Sequence, residues 1–282
     1  MPGDDLTILN LKDPQERIAD ELESSLGGER QRKSRRFVLA ALGSLPWIGG
    51  LLSAQAAIEA EAEQGRVNEL HKEWLAEHRD KLHEVADTLL EIVNRLHALG
   101  PEIEARIQSD DYLALVRKAF RVWDQADTGQ KRNLIKNLLM NAGGTPITAD
   151  DVVRLFIQWI DFYHETHFAV IRAIYQNPGA TRSDIWEQLK GIPVREDSAE
   201  ADLFKMLVRD LSTGGVIRQH RETTYDGSFV KKAAVRVPKG HATRTTKSAF
   251  DDTEKYVLTA LGGQFVSYTM NELVPRIGTE AV

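Results

Sequence analysis

The chain has 282 residues, 42% of them hydrophobic and 28% charged, with a net charge of −6 and no cysteine. That length suits one or two domains, and the apolar content supplies a sizeable core, which excludes a wholly disordered chain. Without thiols there are no disulfides, thiolate zinc sites or cysteine nucleophiles, as in many bacterial cytoplasmic proteins. The acidity argues against a general nucleic-acid-coating protein and leaves room for a local basic patch.

Asp13 and Pro14 open a first predicted helix with an apolar stripe of Ile18, Leu22 and Leu26, closed by Gly27-Gly28. A basic cluster follows: Arg30, Arg32, Lys33, Arg35 and Arg36. Behind it, residues 37–58 carry no charged side chain. About 22 apolar residues are what a helix needs to cross a ~30 Å hydrocarbon layer. Four readings stay open. Ser34-Arg35-Arg36-Phe37-Val38-Leu39 resembles a twin-arginine export signal, with Ala54-Gln55-Ala56 as its cleavage site. The capped helix ahead of it argues against export. A permanent anchor has to accommodate Gly43, Ser44, Pro46, Gly49 and Gly50 in mid-span. Those residues more simply mark a buried hairpin of two short helices around Leu45-Pro46-Trp47, the favoured reading. The fourth reading is a hairpin hidden in the free protein and inserted later. The segment is similar in composition to the apolar hairpin of pore-forming helical proteins. That resemblance implies membrane association through Phe37, Leu42, Trp47, Ile48, Leu51 and Leu52.

Val67, Leu70, Trp74, Leu82, Val85, Leu89, Ile92, Leu96 and Leu99 recur at helical spacing, and Gly100-Pro101 stops the pattern. The helix suits a bundle or a coiled coil between two copies of the chain. His78 and Lys81 fall where a heptad wants apolar residues, which favours the bundle. Helices are predicted over 102–109, 112–124 and 128–140, with Asn141-Ala142-Gly143-Gly144-Thr145-Pro146 as a loop. Thr148 and Asp151 read as a capping box opening one helix from 148 to 176.

The character changes after Asn177-Pro178-Gly179. Thr181 caps a helix over 182–189, and Asp197 or Ser198 opens another to Leu211. Thr213-Gly214-Gly215 precedes a strand over 216–221. Thr224-Tyr225-Asp226-Gly227 is a hairpin turn, and 228–237 reads as the returning strand. The tail 254–273 reads as a strand-free helical ending. In element order this part resembles the winged helix-turn-helix superfamily. The expected fold is mainly α: a helical bundle with the apolar hairpin over 1–142, then a winged-helix-like α+β module over 148–282.

The resemblance implies that the second helix of the module presents basic or amide side chains to a DNA major groove. Its outer face is Asp202, Lys205, Arg209 and Ser212, and its first turn holds Glu196, Asp197 and Glu200. Those carboxylates would repel a phosphate backbone, although they also suit a helix N-terminus. Basic residues gather on the wing: Arg218, His220, Arg221, Lys231, Lys232, Arg236, Lys239, Arg244 and Lys247. The candidate partner-binding or nucleic-acid-binding residues are therefore Lys205, Arg209, Arg218, Arg221, Lys231 and Lys232. Asp161, His164, Glu165 and His167 lack the histidine spacing of a zinc-protease helix and are read as a helix edge, with no metal. There is no Walker loop, nucleophile elbow or dinucleotide fingerprint, so neither an enzyme nor a cofactor is expected. Gly143-Gly144-Thr145 is too short for a phosphate loop and lacks its lysine. The expected function is a non-enzymatic regulatory or effector protein. Its winged-helix-like module binds a protein partner and its helical part acts by association, including with a membrane or a second copy. The alternative is a nucleic-acid-binding transcriptional regulator using the wing, and the third reading is an unrecognised enzyme.

Overall fold

The computed structural model describes residues 28–48, 50, 69–100, 103–145, 148–192, 194–230 and 248–270. These residues are mainly helical and form two compact units that divide between Asp161 and Phe162.

The first unit holds α1 (Gly28–Leu42), α2 (Glu69–Ala98), the short α3 (Glu104–Ile107), α4 (Asp110–Gln125), α5 (Gly129–Gly144) and most of α6 (Asp150–Phe162). Its centre is α4. The Ser109 hydroxyl accepts the Tyr112 N–H at 3.3 Å, and Asp110 and Asp111 sit at the positive end of the helix. Tyr112, Leu113, Leu115, Val116, Ala119, Phe120, Val122 and Trp123 are all buried, about half the circumference. Helices α1 and α5 pack on α4, and α2 packs on α5 and α1. Arg106 makes a two-pronged salt bridge with Asp150, one arm at 3.0 Å. Lys118 and Lys131 donate to the backbone carbonyls of Arg154 and Asp161 along α6.

The basic run from Arg30 to Arg36 lies within α1, which stops at Leu42 ahead of a turn over Gly43 to Pro46. The turn closes through Ser44 N–H to Ala41 O at 3.0 Å and Leu45 N–H to Leu42 O at 3.1 Å. Pro46 has no N–H with which to continue the helix. Phe37, Leu42, Leu45 and Ile48 are buried, and the Phe37 ring stacks on Tyr112. Among the described residues no helix is long and apolar enough to cross a membrane. Leu51 and Leu52 lie outside them. Trp47 is engaged in a polar contact. Its indole N–H donates to Asp124 at 2.8 Å, and Lys81 pairs with the same carboxylate at 2.6 Å while lying over the Trp47 ring. His78 meets that ring edge-on at 5.5 Å. The two polar residues that spoil the heptad of α2 are thus contacts to Trp47 and Asp124.

Three sequence expectations need correction in this half of the chain. The expected loop from Asn141 is helix as far as Gly144. A Cβ on Gly143 would lie 2.8 Å from Leu96 Cδ2 and 2.9 Å from the Tyr112 hydroxyl, and one on Gly144 would lie 2.7 Å from Leu99 Cδ1. These glycines bring α5 close to α2 and α4 rather than turning the chain. Next, the Thr148–Asp151 capping box does not form. The Thr148 hydroxyl is buried without a hydrogen bond among the described residues, and Asp151 pairs with Arg154 at 2.6 Å. Lastly, the single helix from 148 to 176 is two helices. The His164 N–H donates to His167 Nδ1 at 3.1 Å, which caps a new helix, α7 (Glu165–Gln176).

The second unit comprises α7, α8 (Arg182–Lys190), α9 (Ala199–Thr213), β1 (Ile217–Gln219), β2 (Tyr256–Leu258) and α10 (Ala260–Thr269). The two strands are antiparallel, with Arg218 opposite Val257 and Gln219 opposite Tyr256. The tail expected to be strand-free therefore supplies β2, the partner of β1. Thr181 bridges Lys255 on the other side of β2, with the Tyr256 N–H donating to Ala180 O at 2.9 Å. The Asp226-Gly227 turn is present on a small scale. Thr223 bridges Phe229, and the Thr224 N–H donates to Ser228 O at 2.8 Å. Residues 231–247 lie outside the described residues. The core gathers Phe168, Ile171, Ile174, Ile185, Phe204, Val208, Leu211, Val216, Tyr256 and Phe265.

Candidate functional site

Four arginines meet in a groove beside β1. Arg182 occupies the first position of α8, immediately after its Thr181 cap. Arg209 lies in the last turns of α9, ahead of Ser212 and Thr213. Arg218 is the central residue of β1 and Arg221 follows that strand. Their side chains line an open cavity of about 470 Å³ with Phe229 and Tyr256. Local structure explains the convergence. Gly215, with φ of +75°, turns the chain sharply from α9 into β1, a conformation that glycine adopts without strain. The Thr181–Lys255 bridge sets the start of α8 against β2.

The guanidinium groups are held in different ways. Arg182 Nε donates to the Tyr256 hydroxyl at 3.0 Å, and its guanidinium lies over that ring. Arg218 lies 4.8 Å from the centre of the Phe229 ring. Its Nη1 is shielded from solvent and makes no hydrogen bond among the described residues. A cationic donor withdrawn from water without an acceptor is costly. Arg209 has a weak contact with Asp210, 3.4 Å from Nε to the carboxylate. Arginine suits such a site because its planar donors match phosphate and carboxylate oxygens two at a time.

Three of the candidate residues read from the sequence, Arg209, Arg218 and Arg221, are thus together in one groove. Lys205 stands apart from it. Its ammonium lies 3.5 Å from Glu196 and 3.8 Å from Asp202. Lys231 and Lys232 lie outside the described residues. Arg182 was missed. Its sequence signal is an arginine straight after a helix cap, a common surface position, and only the pairing of residue 181 with β2 brings it to the others.

The acidic start of α9 is tied down. Glu196 accepts the Ala249 N–H at 2.9 Å and a hydroxyl hydrogen bond from Ser248. Those donors, with Lys205 adding to them, hold its carboxyl below the ordinary carboxylate value. Asp197 is paired with Arg195, which likewise depresses its carboxyl.

The chain matches no family model, no curated protein and no solved structure.

A second cleft, of about 220 Å³, lies among α7, α8 and α9 and is lined mainly by Trp186, Leu189, Leu203, Phe204 and Leu207. Leu203 is 45% exposed at its edge. At the foot of α7, the buried His167 ring lies tilted against Tyr163 with centroids 4.9 Å apart, and its Nε2 lies 3.9 Å from Asp210. Burial, with the Asp210 charge adding to it, raises the Tyr163 phenol. Among the described residues no three histidine, aspartate or glutamate side chains come together as a metal site.

Proposed function

We propose that this is a non-enzymatic nucleic-acid-binding protein whose second unit is a winged-helix-like module. In this reading α7, α8 and α9 are its three helices, and the segment at Thr181 with β1 and β2 forms its small sheet. The order of elements and the placement of Thr181 beside β2 support that assignment. The observation that carries the function is the convergence of Arg182, Arg209, Arg218 and Arg221 in one groove. Phosphate neutralisation supplies most of the affinity of nucleic-acid binding. Contact is through this groove, at the C-terminal end of α9. The acidic first turn of α9 is kept away from phosphates, so sequence reading by that turn forms no part of the proposal.

The test is binding of the full chain to fluorescent oligonucleotides, single-stranded and duplex, over a range of salt concentrations. Affinity for at least one form should fall steeply as salt rises. In the double variant Arg218→Glu, Arg221→Glu, the slope of log affinity against log salt should shrink by about 1.4 to 1.8. Absence of binding to either form at low salt would remove the proposal.

The apolar cleft around Leu203 favours a second reading, a protein partner docked on α8 and α9. In that case Leu203→Asp would abolish recovery of the partner and leave oligonucleotide binding unchanged.

A further inference from the structure

We infer that the nucleic acid taken by the arginine groove is a single strand, with its bases stacked on Phe229 and Tyr225. The inference rests on the proposed function above and adds the form of the ligand. It starts from two aromatic side chains that the core does not use. Tyr225 is fully exposed at the tip of the hairpin turn. The turn itself is well tied. The Thr224 N–H donates to Ser228 O at 2.8 Å, the Gly227 N–H donates to Thr224 O at 2.9 Å, and Gly227 has φ of +81°. A large ring is thus held outward on a closed turn. Phe229, on the returning side of the same turn, is 50% exposed and lines the groove. Arg218 covers one face of its ring and leaves the side chain half open.

Guanidinium groups beside open aromatic rings are what an unpaired strand needs. The arginines hold its backbone while the rings stack on its bases, whatever their sequence. A duplex offers the same phosphates, but its base faces are already stacked, and a ring enters only by unstacking a step. The charge distribution points the same way. Arg209 and Glu200 are nine residues apart on α9, about 14 Å along the axis. The two backbones of a duplex lie about 12 Å apart across its major groove. A duplex aligned along α9 with one backbone on Arg209 would bring the other toward Glu200 and Asp202. A single strand has no second backbone to repel. Asp226, at the turn, is engaged by the Thr224 and Ser228 hydroxyls.

The experiment compares a labelled oligothymidine of about 15 nucleotides with a labelled hairpin duplex of similar length, using the full chain at low salt. The single strand should bind at least about 5-fold more tightly. Tyr225→Ala should weaken single-strand binding by about 5-fold or more, whereas Tyr225→Phe, which keeps the ring, should retain it. Tyr225 buries nothing, so these variants leave the fold intact. Phe229→Ala should act in the same direction. Equal or tighter duplex binding, or a Tyr225→Ala protein with unchanged single-strand affinity, would overturn this inference and leave the arginine groove as a phosphate site. No binding of either form would overturn both.

Discussion

Two adjacent glycines in α10 show how much a single hydrogen can carry. A Cβ on Gly262 would sit 2.1 Å from the carbonyl oxygen of Val216, and that oxygen is fixed by the Thr259 N–H at 3.0 Å. The obstacle is backbone, so it cannot rotate away. A Cβ on Gly263 meets nothing within 4 Å. Gly262→Ala should therefore destabilise the second unit by about 2 kcal/mol or more, the range of core overpacking. Gly263→Ala should stabilise it by roughly 0.5–1 kcal/mol through helix propensity. Urea unfolding of the two variants checks the opposite signs, and two shifts of the same sign would refute this packing of α10 against Val216. The sequence Leu261-Gly262-Gly263 shows none of this difference, because it lies in the approach of a carbonyl 46 residues earlier in the chain. The same limit applies at Arg182. Residues such as Arg218 and Arg221 were legible as a basic run, since charge clustering along a strand is visible in one dimension. Arg182 joins them only through the pairing of Thr181 with Lys255.

Among the elements, α2 and α8 were read correctly from local signals, whereas equally local signals at Asn141-Ala142-Gly143-Gly144 and at Thr148 and Asp151 misled. The long α2 follows its own apolar spacing, and α8 begins at Thr181, whose hydroxyl accepts the Asp184 N–H at 3.2 Å while Asp184 accepts the Thr181 N–H at 2.9 Å. This reciprocal pair satisfies donors that a helix start leaves open. The Thr181 N–H and hydroxyl depress the Asp184 carboxyl below its ordinary value. Its contribution is accordingly complete above that ordinary value, about 4, and disappears as pH falls through the lower folded-state value. Thr181→Ala should cost about 1 kcal/mol at pH 7. That cost should be clearly smaller near pH 2. Denaturant midpoints at the two pH values decide it, and a cost independent of pH would show that the capping box is not the cause. Elements whose signal lies elsewhere were misread. The break between α6 and α7 has no proline or glycine; it depends on His167 accepting a backbone N–H in the place usually taken by glutamate or glutamine. Residues 256–258 form a strand because β1 is there to pair with them. The hydrophobic pattern of so short a segment does not distinguish strand from helix.

On the scale of the molecule, the division between Asp161 and Phe162 has an energetic consequence. The second unit has its own core. Phe168 stacks on Phe265 with centroids 6.2 Å apart, and Trp186, Phe204 and Phe250 form an aromatic cluster with centroid separations of 5.1 to 6.0 Å. A segment of this size buries enough apolar surface to fold alone. A fragment spanning 162–271 should therefore unfold in one cooperative transition, followed by circular dichroism on heating. Phe204→Ala removes a fully buried ring from the cluster and should cost about 3–5 kcal/mol. That is a large part of the ~5–15 kcal/mol available to a small domain, so the variant fragment should melt far lower or fail to fold. The arginine groove and the Tyr225 turn belong wholly to this unit. Its isolated form should accordingly bind oligonucleotides with the same salt dependence as the full chain. A fragment that folds cooperatively yet has lost that binding would assign the phosphate contacts to residues 1–161 or 272–282, and with them the function.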